Sequence, residues 1–73
     1  MSTVDQLAAK LAEDTLEAMD ATGEDRLYVQ VGDLLAASSQ SLEEAFLTEI
    51  RVRLAERNAR KFIEAKLASI RPT

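Results

Sequence analysis

The sequence predicts an all-α fold: one small domain of three helices, of which the third is long. Apolar residues recur at helical intervals along most of the chain. Glycine occurs only twice and proline once, close to the C-terminus, so few residues interrupt a helix. With 73 residues the chain has the length of one domain, and we expect residues 1–73 to fold together. A domain this short has a marginal core, which a partner subunit would supplement.

The first helix is predicted from about Thr3 to Asp20. Thr3 and Gln6 have the spacing of a capping box, which satisfies backbone N–H groups at a helix start. Gly23 follows where a helix can end in the left-handed conformation. The apolar positions of this helix are Val4, Leu7, Ala8, Leu11, Ala18 and Met19.

The second segment, residues 26–37, is compatible with a helix or a strand. Helical spacing of its large apolar residues favours a helix. Residues 27–31 also alternate in polarity and are rich in strand formers, so a short strand is the alternative. A strand followed by two helices would resemble a ribbon-helix-helix dimer. Its exposed ribbon face would carry Arg26, Tyr28 and Gln30.

The third helix is predicted to start at Ser41, because Ser41 and Glu44 form the S-x-x-E pattern of a capping box. From Leu42 to about Ile70 neither glycine nor proline occurs, and good helix formers are frequent. About 29 residues at 1.5 Å per residue would span roughly 43 Å, more than the width of a small globule.

The apolar stripe of this third helix changes face near residues 56–58. The first cluster consists of Leu42, Phe46, Leu47, Ile50 and Leu54. The second consists of Ala59, Ile63, Leu67 and Ile70, with Phe62 at its margin. Three explanations are open: the helix breaks or bends there, the first helix wraps it on a changing side, or its two halves bury against different partners. We favour a second subunit over the second half, because few residues are left in the chain to cover it.

Charge is unevenly distributed. Residues 1–50 carry 2 basic and 11 acidic side chains, a net charge of −9, whereas residues 51–73 carry 7 basic and 2 acidic ones, a net charge of +5. The acidic front and the basic tail could pair within an antiparallel helix packing. Alternatively, the tail attracts an acidic partner surface. The basic positions expected to serve either purpose are Arg53, Arg57, Arg60 and Lys61.

Residues 31–46 resemble the helix-turn-helix of bacterial transcription regulators, in the register of AraC-type domains. In this resemblance Gly32 takes the small-residue position where helices approach closely, and Ser38 opens the turn. The side chains that would hold the two helices are Val31, Leu34, Leu35, Leu42 and Phe46. The match covers 16 residues and departs from the pattern at Ala36, where such turns favour glycine.

The resemblance implies that the second helix enters the major groove of DNA with its first turn. The residues at those positions are Ser39, Gln40, Ser41, Glu43 and Glu44. Two carboxylates there would face a dense row of phosphates, whereas DNA readers place basic residues at such positions. Glu43 and Glu44 are better explained as helix-start residues, because carboxylates are stabilised by the positive N-terminal end of the helix dipole. DNA binding therefore stays the alternative function.

Several activities are excluded by residue types. The chain has no histidine and no cysteine, which removes imidazole and thiolate chemistry. Both glycines are isolated, so no phosphate loop exists, and adjacent carboxylates on a helix diverge by about 100°. We expect no catalytic, cofactor-binding or metal-binding residues, no small-molecule substrate and no enzyme activity. Without a signal segment or a bilayer-spanning run, the expected location is the cytoplasm, with no membrane partner.

The expected function is a small non-enzymatic protein–protein interaction module: an adaptor, assembly factor or accessory subunit that self-associates through its C-terminal helix. The alternative is a DNA-binding regulator of helix-turn-helix or ribbon-helix-helix type. The residues expected to bind the partner are Arg53, Arg57, Arg60, Lys61, Phe62, Ile63, Leu67 and Ile70.

Overall fold

The computed structural model describes residues 2–71, which form three helices: α1 (Thr3–Thr22), α2 (Leu27–Ala36) and α3 (Gln40–Ile70). The all-α prediction is confirmed. The strand alternative is wrong, because residues 27–31 lie within α2. The ribbon-helix-helix arrangement, which requires that strand, is therefore wrong as well. Side chains three and four residues apart on α2 pack against the core, which is the helical and not the strand period. They are Tyr28, Val31 and Leu35.

Both predicted N-caps are displaced by one or two residues. α1 is capped by Ser2, whose Oγ accepts a hydrogen bond from the Asp5 N–H at 3.1 Å. α3 is capped by Ser39, whose Oγ accepts from the Leu42 N–H at 3.2 Å. Several hydroxyl residues follow one another at each helix start, and the one with extended backbone becomes the cap. The predicted capping boxes at Thr3 and Ser41 are therefore wrong.

The predicted stop of α1 at Gly23 is confirmed. Gly23 adopts φ 75° and its N–H donates to the Met19 carbonyl at 2.8 Å. A left-handed residue at this position is typical of helix C-termini, and glycine adopts it without steric cost. α1 reaches Thr22, two residues beyond its predicted end.

The core lies between α1 and the first half of α3. Its buried residues are Ala8, Ala12 and Leu16 of α1 and Phe46 and Ile50 of α3. Two alanines at the contact allow the helix axes to approach closely around one large aromatic ring. α2 closes the third side, with Gly32 buried against Leu47. A Cβ at Gly32 would meet only the side chain of Leu47, at 3.4 Å, so the contact does not require glycine.

Two leucines predicted on apolar faces are exposed. Leu34, which the helix-turn-helix resemblance places between the helices, is 73% exposed. It projects roughly 100° away from Leu35, which packs against the core. Leu7 on α1 is also exposed. Each lies at the edge of a helical stripe that is narrower than the sequence pattern indicates.

α1 and α3 run in the same direction. Near the start of α1, Val4 lies with Ser41 and Thr48, whereas Asp20 near its end pairs with Arg57. Two short loops each reverse the chain, so the first and third helices of the bundle become parallel. The expected pairing of the acidic front with the basic tail occurs, but in a parallel and not an antiparallel packing.

α3 extends far beyond the other two helices. α1 ends at Thr22 beside Arg57, and every residue from 58 to 71 is exposed. The radius of gyration of 15.2 Å exceeds the value of about 11 Å for a compact chain of this length. α3 is one uninterrupted helix, so neither a break at residues 56–58 nor a wrapping first helix explains the change of face.

Candidate functional site

The protruding segment of α3, residues 58–70, is named the overhang. It carries four large apolar side chains in contact with solvent: Phe62 (64% exposed), Ile63 (55%), Leu67 (41%) and Ile70 (77%). A monomeric soluble protein seldom leaves so many large apolar groups together on one helix face. These four residues are among those expected from the sequence to bind a partner, and all four lie on the uncovered part of α3.

These side chains do not continue the buried face of α3. At 100° per residue, the line through Phe46 and Ile50 reaches Lys61 and Glu64 in the overhang, so the extension of the core face is polar. The exposed apolar side chains lie close to the opposite side of the helix. The predicted change of face is therefore present within a continuous helix.

Val52 belongs to the same exposed face and was missed by the sequence analysis. It is 60% exposed although it lies within the packed half of α3. It precedes Ile63 by eleven residues, about three helical turns, and this spacing is the signal that could have found it. The complete surface, named the apolar stripe, consists of Val52, Ala59, Phe62, Ile63, Leu67 and Ile70.

A groove at the seam between α1 and α3 lies at one end of the apolar stripe. This seam groove is open to solvent, has a volume of about 400 Å³ and shares Val52 with the stripe. Val52 and Leu16 supply its apolar lining, and Glu13 and Glu56 add carboxylates. Arg53 and Arg57 complete the lining. A partner that covers the stripe would therefore meet, at its end, a groove with an apolar floor and charged side chains of both signs.

Three of the four predicted basic residues are held by carboxylates of this chain. Arg57 reaches across to α1 and donates to both carboxylate oxygens of Asp20, each at 3.0 Å. Arg53 and Arg60 each donate to a glutamate one turn earlier on α3, at 3.2 and 2.7 Å. These positions are expected either to pair with the acidic first helix or to attract an acidic partner, and Arg57 pairs with the first helix. Arg53 and Arg60 are engaged within α3 itself.

The ion pairs perturb the carboxyl and guanidinium groups in the expected directions. The hydrogen bond from Arg57 lowers the pKa of Asp20, and the positive charge of Lys61 adds to this effect. The same hydrogen bond raises the pKa of Arg57, and the hydrogen bond to Glu56 raises that of Arg60. Lys61 therefore acts on Asp20 through its charge alone, whereas Arg57 also donates hydrogen bonds to it.

Lys66 adds a cation within the apolar stripe. Its Nζ lies 5.6 Å from the centroid of the Phe62 ring, one helical turn away, which is within the range of a cation–π contact. Among residues 2–71 no carboxylate lies within ion-pair distance of this ammonium group. Lys66 is not among the partner-binding residues expected from the sequence, although it follows Phe62 by four residues, one helical turn.

The first turn of α3, where the helix-turn-helix resemblance places base-reading residues, is occupied by helix-start contacts. Ser39 Oγ is used by the cap, and Gln40 Nε2 donates to Glu44 at 3.4 Å. Glu43 is half-buried. The turn presents two carboxylates, and the basic side chains of α3 begin at Arg51.

Within residues 2–71 no cluster of three or more acidic side chains is placed to hold a metal ion. None of the helices in this part of the chain combines the length and the apolar character needed to cross a bilayer. Comparison of the chain with known protein families, with curated proteins and with solved structures finds no match.

Proposed function

We propose that this chain is a non-enzymatic protein-interaction module, an adaptor, assembly factor or accessory subunit, that docks through the overhang and associates with itself through the same segment. The observation that supports the proposal is the apolar stripe, which runs from Val52 to Ile70 with every large side chain at least 41% exposed. Burying such side chains from their present exposure contributes about 1 kcal/mol each, and a partner surface would supply that burial.

The overhang is suited to docking because it is a preformed helix. An isolated helix of this length is marginal in water, since its first turn costs more entropy than it returns in hydrogen bonds. Here the helix continues from a half that is already packed through Phe46 and Ile50, so nucleation is complete. The Glu56–Arg60 ion pair links the two halves. A partner therefore meets an ordered surface and loses less conformational entropy on binding.

Light scattering coupled to size-exclusion chromatography tests the proposal. At loading concentrations from about 2 to 300 µM, we expect the mass to rise from 8.0 kDa towards twice that value. Ile63→Lys places a charge in the middle of the apolar stripe and should hold the protein at the monomer mass.

Leu34→Lys is the matched control, because Leu34 is 73% exposed on α2, outside the stripe. It should associate as the wild type does, and circular dichroism should show both variants to be helical. A wild-type protein that stays monomeric at about 300 µM, or a Leu34→Lys variant that dissociates as fully as Ile63→Lys, would contradict the proposal.

A further inference from the structure

We infer that the apolar stripe binds the stripe of a second copy of this chain in antiparallel orientation, with the end of each overhang in the seam groove of the other copy. This inference rests on the proposed self-association. It adds the relative direction of the two α3 helices, the register in which they pair, and the seam groove as a second contact site. The carrying observations are the spacing of the stripe, the placement of two opposite charges within it, and the groove at its end.

The centre line of the stripe has the spacing of a coiled-coil seam. Its positions follow one another at alternating intervals of four and three residues, the pattern that keeps side chains on one side of two paired helices. They are Val52, Glu56, Ala59, Ile63, Lys66 and Ile70. Four of these six are apolar, and the two charged positions have opposite sign.

The two charged positions determine the direction. In a parallel pair, Glu56 would face the partner's Glu56 and Lys66 the partner's Lys66, so that both contacts are repulsive. An antiparallel pair centred near residue 61 instead places Glu56 opposite the partner's Lys66, and does so twice by symmetry. Glu56, which already accepts a hydrogen bond from Arg60 of its own copy, would then lie between two cations. Lys66 has no ion-pair partner among the described residues, so the second copy supplies one.

The same register matches side chains by size. Ala59 faces the partner's Ile63, so a large side chain meets a small one on each side of the two-fold axis. Val52 faces the partner's Ile70. Phe62, at the margin of the stripe, lies beside the axis and contacts the partner's Phe62. Alternation of large and small groups is the arrangement that fills the space between two helices without voids.

The seam groove is where the second overhang ends. Val52 is shared by the stripe and the groove, so the partner's Ile70, the most exposed large apolar side chain of the overhang, lies over Val52 and Leu16. The groove itself is balanced in charge, with Glu13 and Glu56 beside Arg53 and Arg57, so its contribution to docking is the apolar floor. Because residues 1–50 have a net charge of −9 and residues 51–73 one of +5, this orientation brings the basic tail of each copy against the acidic body of the other.

The buried area is sufficient for a weak specific dimer. The exposed parts of the large side chains on the stripe amount to about 500 Å² per copy. Their mutual burial removes about 1,000 Å² of apolar surface from water, which is near the lower limit for a specific interface. We therefore expect a dissociation constant of about 1–100 µM.

Charge reversal provides one test. In the antiparallel register, Glu56→Lys and Lys66→Glu each create two repulsive contacts, and we expect each to raise the dissociation constant at least fivefold. The double variant exchanges the charges and should return to within about twofold of the wild type. Single variants that dimerise as the wild type does, or a double variant as weak as the singles, would overturn the register. Helical content by circular dichroism shows that all three variants fold.

Distance measurement provides the second test. The chain contains no cysteine, so Ser69→Cys carries a single spin label on each copy. Antiparallel pairing about residue 61 separates the two labels by about 24 Å along the helix axes, whereas parallel pairing places them side by side within about 15 Å. Pulsed electron paramagnetic resonance at about 300 µM should give a distance of about 25–35 Å. A distance below about 18 Å in a protein that is dimeric by light scattering would overturn the inference alone. A monomeric protein would overturn the proposed self-association as well.

Discussion

Arg57 of α3 donates two parallel hydrogen bonds to the carboxylate of Asp20 in α1, each 3.0 Å long. The pair joins the last turn of α1 to α3 at the point where α3 leaves the bundle. On its N-terminal side α3 packs through Phe46 and Ile50, and on its C-terminal side all residues to 71 are exposed. This contact therefore marks the boundary between the folded body and the overhang.

Asp20→Asn should lower the thermal midpoint at neutral pH and have no effect in strong acid. The hydrogen bond from Arg57 lowers the pKa of Asp20, so the pair stabilises the folded state above the usual aspartate pKa, and this contribution is lost as the pH falls through the lowered value. The difference should be small and should shrink with added salt, because both groups are largely solvated.

Melting curves of wild type and Asp20→Asn, followed by circular dichroism from pH 2 to pH 7, measure this effect. Asp33→Asn is the control, because Asp33 is exposed and forms no ion pair among the described residues. A midpoint difference for Asp20→Asn that is the same at pH 2 and pH 7 would contradict the assignment.

Gly32→Ala should stabilise the protein, although Gly32 is buried. A Cβ at this position would lie 3.4 Å from Leu47 Cδ2, an ordinary contact with the end of a flexible side chain. Alanine in place of glycine within a helix contributes about 0.5–1 kcal/mol. Urea denaturation should show a gain of that size. Gly32→Val, with two further methyl groups, should be less stable than the wild type.

Gly23→Ala serves as the opposite case in the same assay. Gly23 has φ 75°, and nothing lies within 4 Å of an added Cβ, so only the backbone conformation opposes the substitution. We expect a loss of about 1 kcal/mol. If Gly32→Ala destabilises as much as Gly23→Ala does, the contact between α2 and Leu47 has no room for an added Cβ.

The two phenylalanines should respond in opposite ways to replacement by alanine. Phe46 is fully buried, and its truncation should lower the free energy of unfolding by about 3–5 kcal/mol. A loss of this size would leave a large fraction of the molecules of so small a domain unfolded. Phe62 is 64% exposed, and its truncation should change monomer stability by less than about 0.5 kcal/mol. Urea denaturation in the Ile63→Lys background, which we expect to stay monomeric, isolates the monomer. Equal losses in the free energy of unfolding for the two variants would mean that Phe62 is buried in the monomer, which would contradict the structure.

Duplex DNA should not bind. The first turn of α3 carries Glu43 and Glu44, the Ser39 hydroxyl accepts the capping hydrogen bond, and the Gln40 amide donates to Glu44. Fluorescence anisotropy with a labelled random duplex at about 20 mM salt measures the interaction where phosphate contacts are strongest. We expect no binding at up to about 50 µM protein. Binding that weakens steeply with salt would favour the regulator alternative.

Helix existence and the change of face could be predicted from the sequence, because both depend on the period of apolar residues and on the rarity of glycine and proline. The N-caps could not, because Ser2 competes with Thr3 and Ser39 with Ser41. Backbone conformation decides between such neighbours, and it depends on how the preceding chain packs. Pattern reading therefore located each helix within a few residues.

The direction of α1 relative to α3 and the small-residue core were beyond reach for a different reason. Ala12 and Leu16 became core residues because α1 crosses α3 at Phe46 and Ile50, a relation set by the loops and by side-chain size. The pairing of Arg57 with Asp20 follows from the same parallel packing. The four apolar residues of the overhang were found, because an uncovered apolar face is visible in the periodicity alone.

Amide hydrogen exchange of the overhang at two protein concentrations tests the central claim most directly, namely that a second copy covers this segment. At about 1 µM, residues 60–70 should exchange rapidly, because their backbone hydrogen bonds lie in an exposed helix end. At about 300 µM, their exchange should slow about three- to tenfold, because at a dissociation constant of about 1–100 µM a residual monomer population continues to exchange, while residues 8–16 of α1 are slow under both conditions. Exchange of residues 60–70 that is identical at the two concentrations would contradict the account.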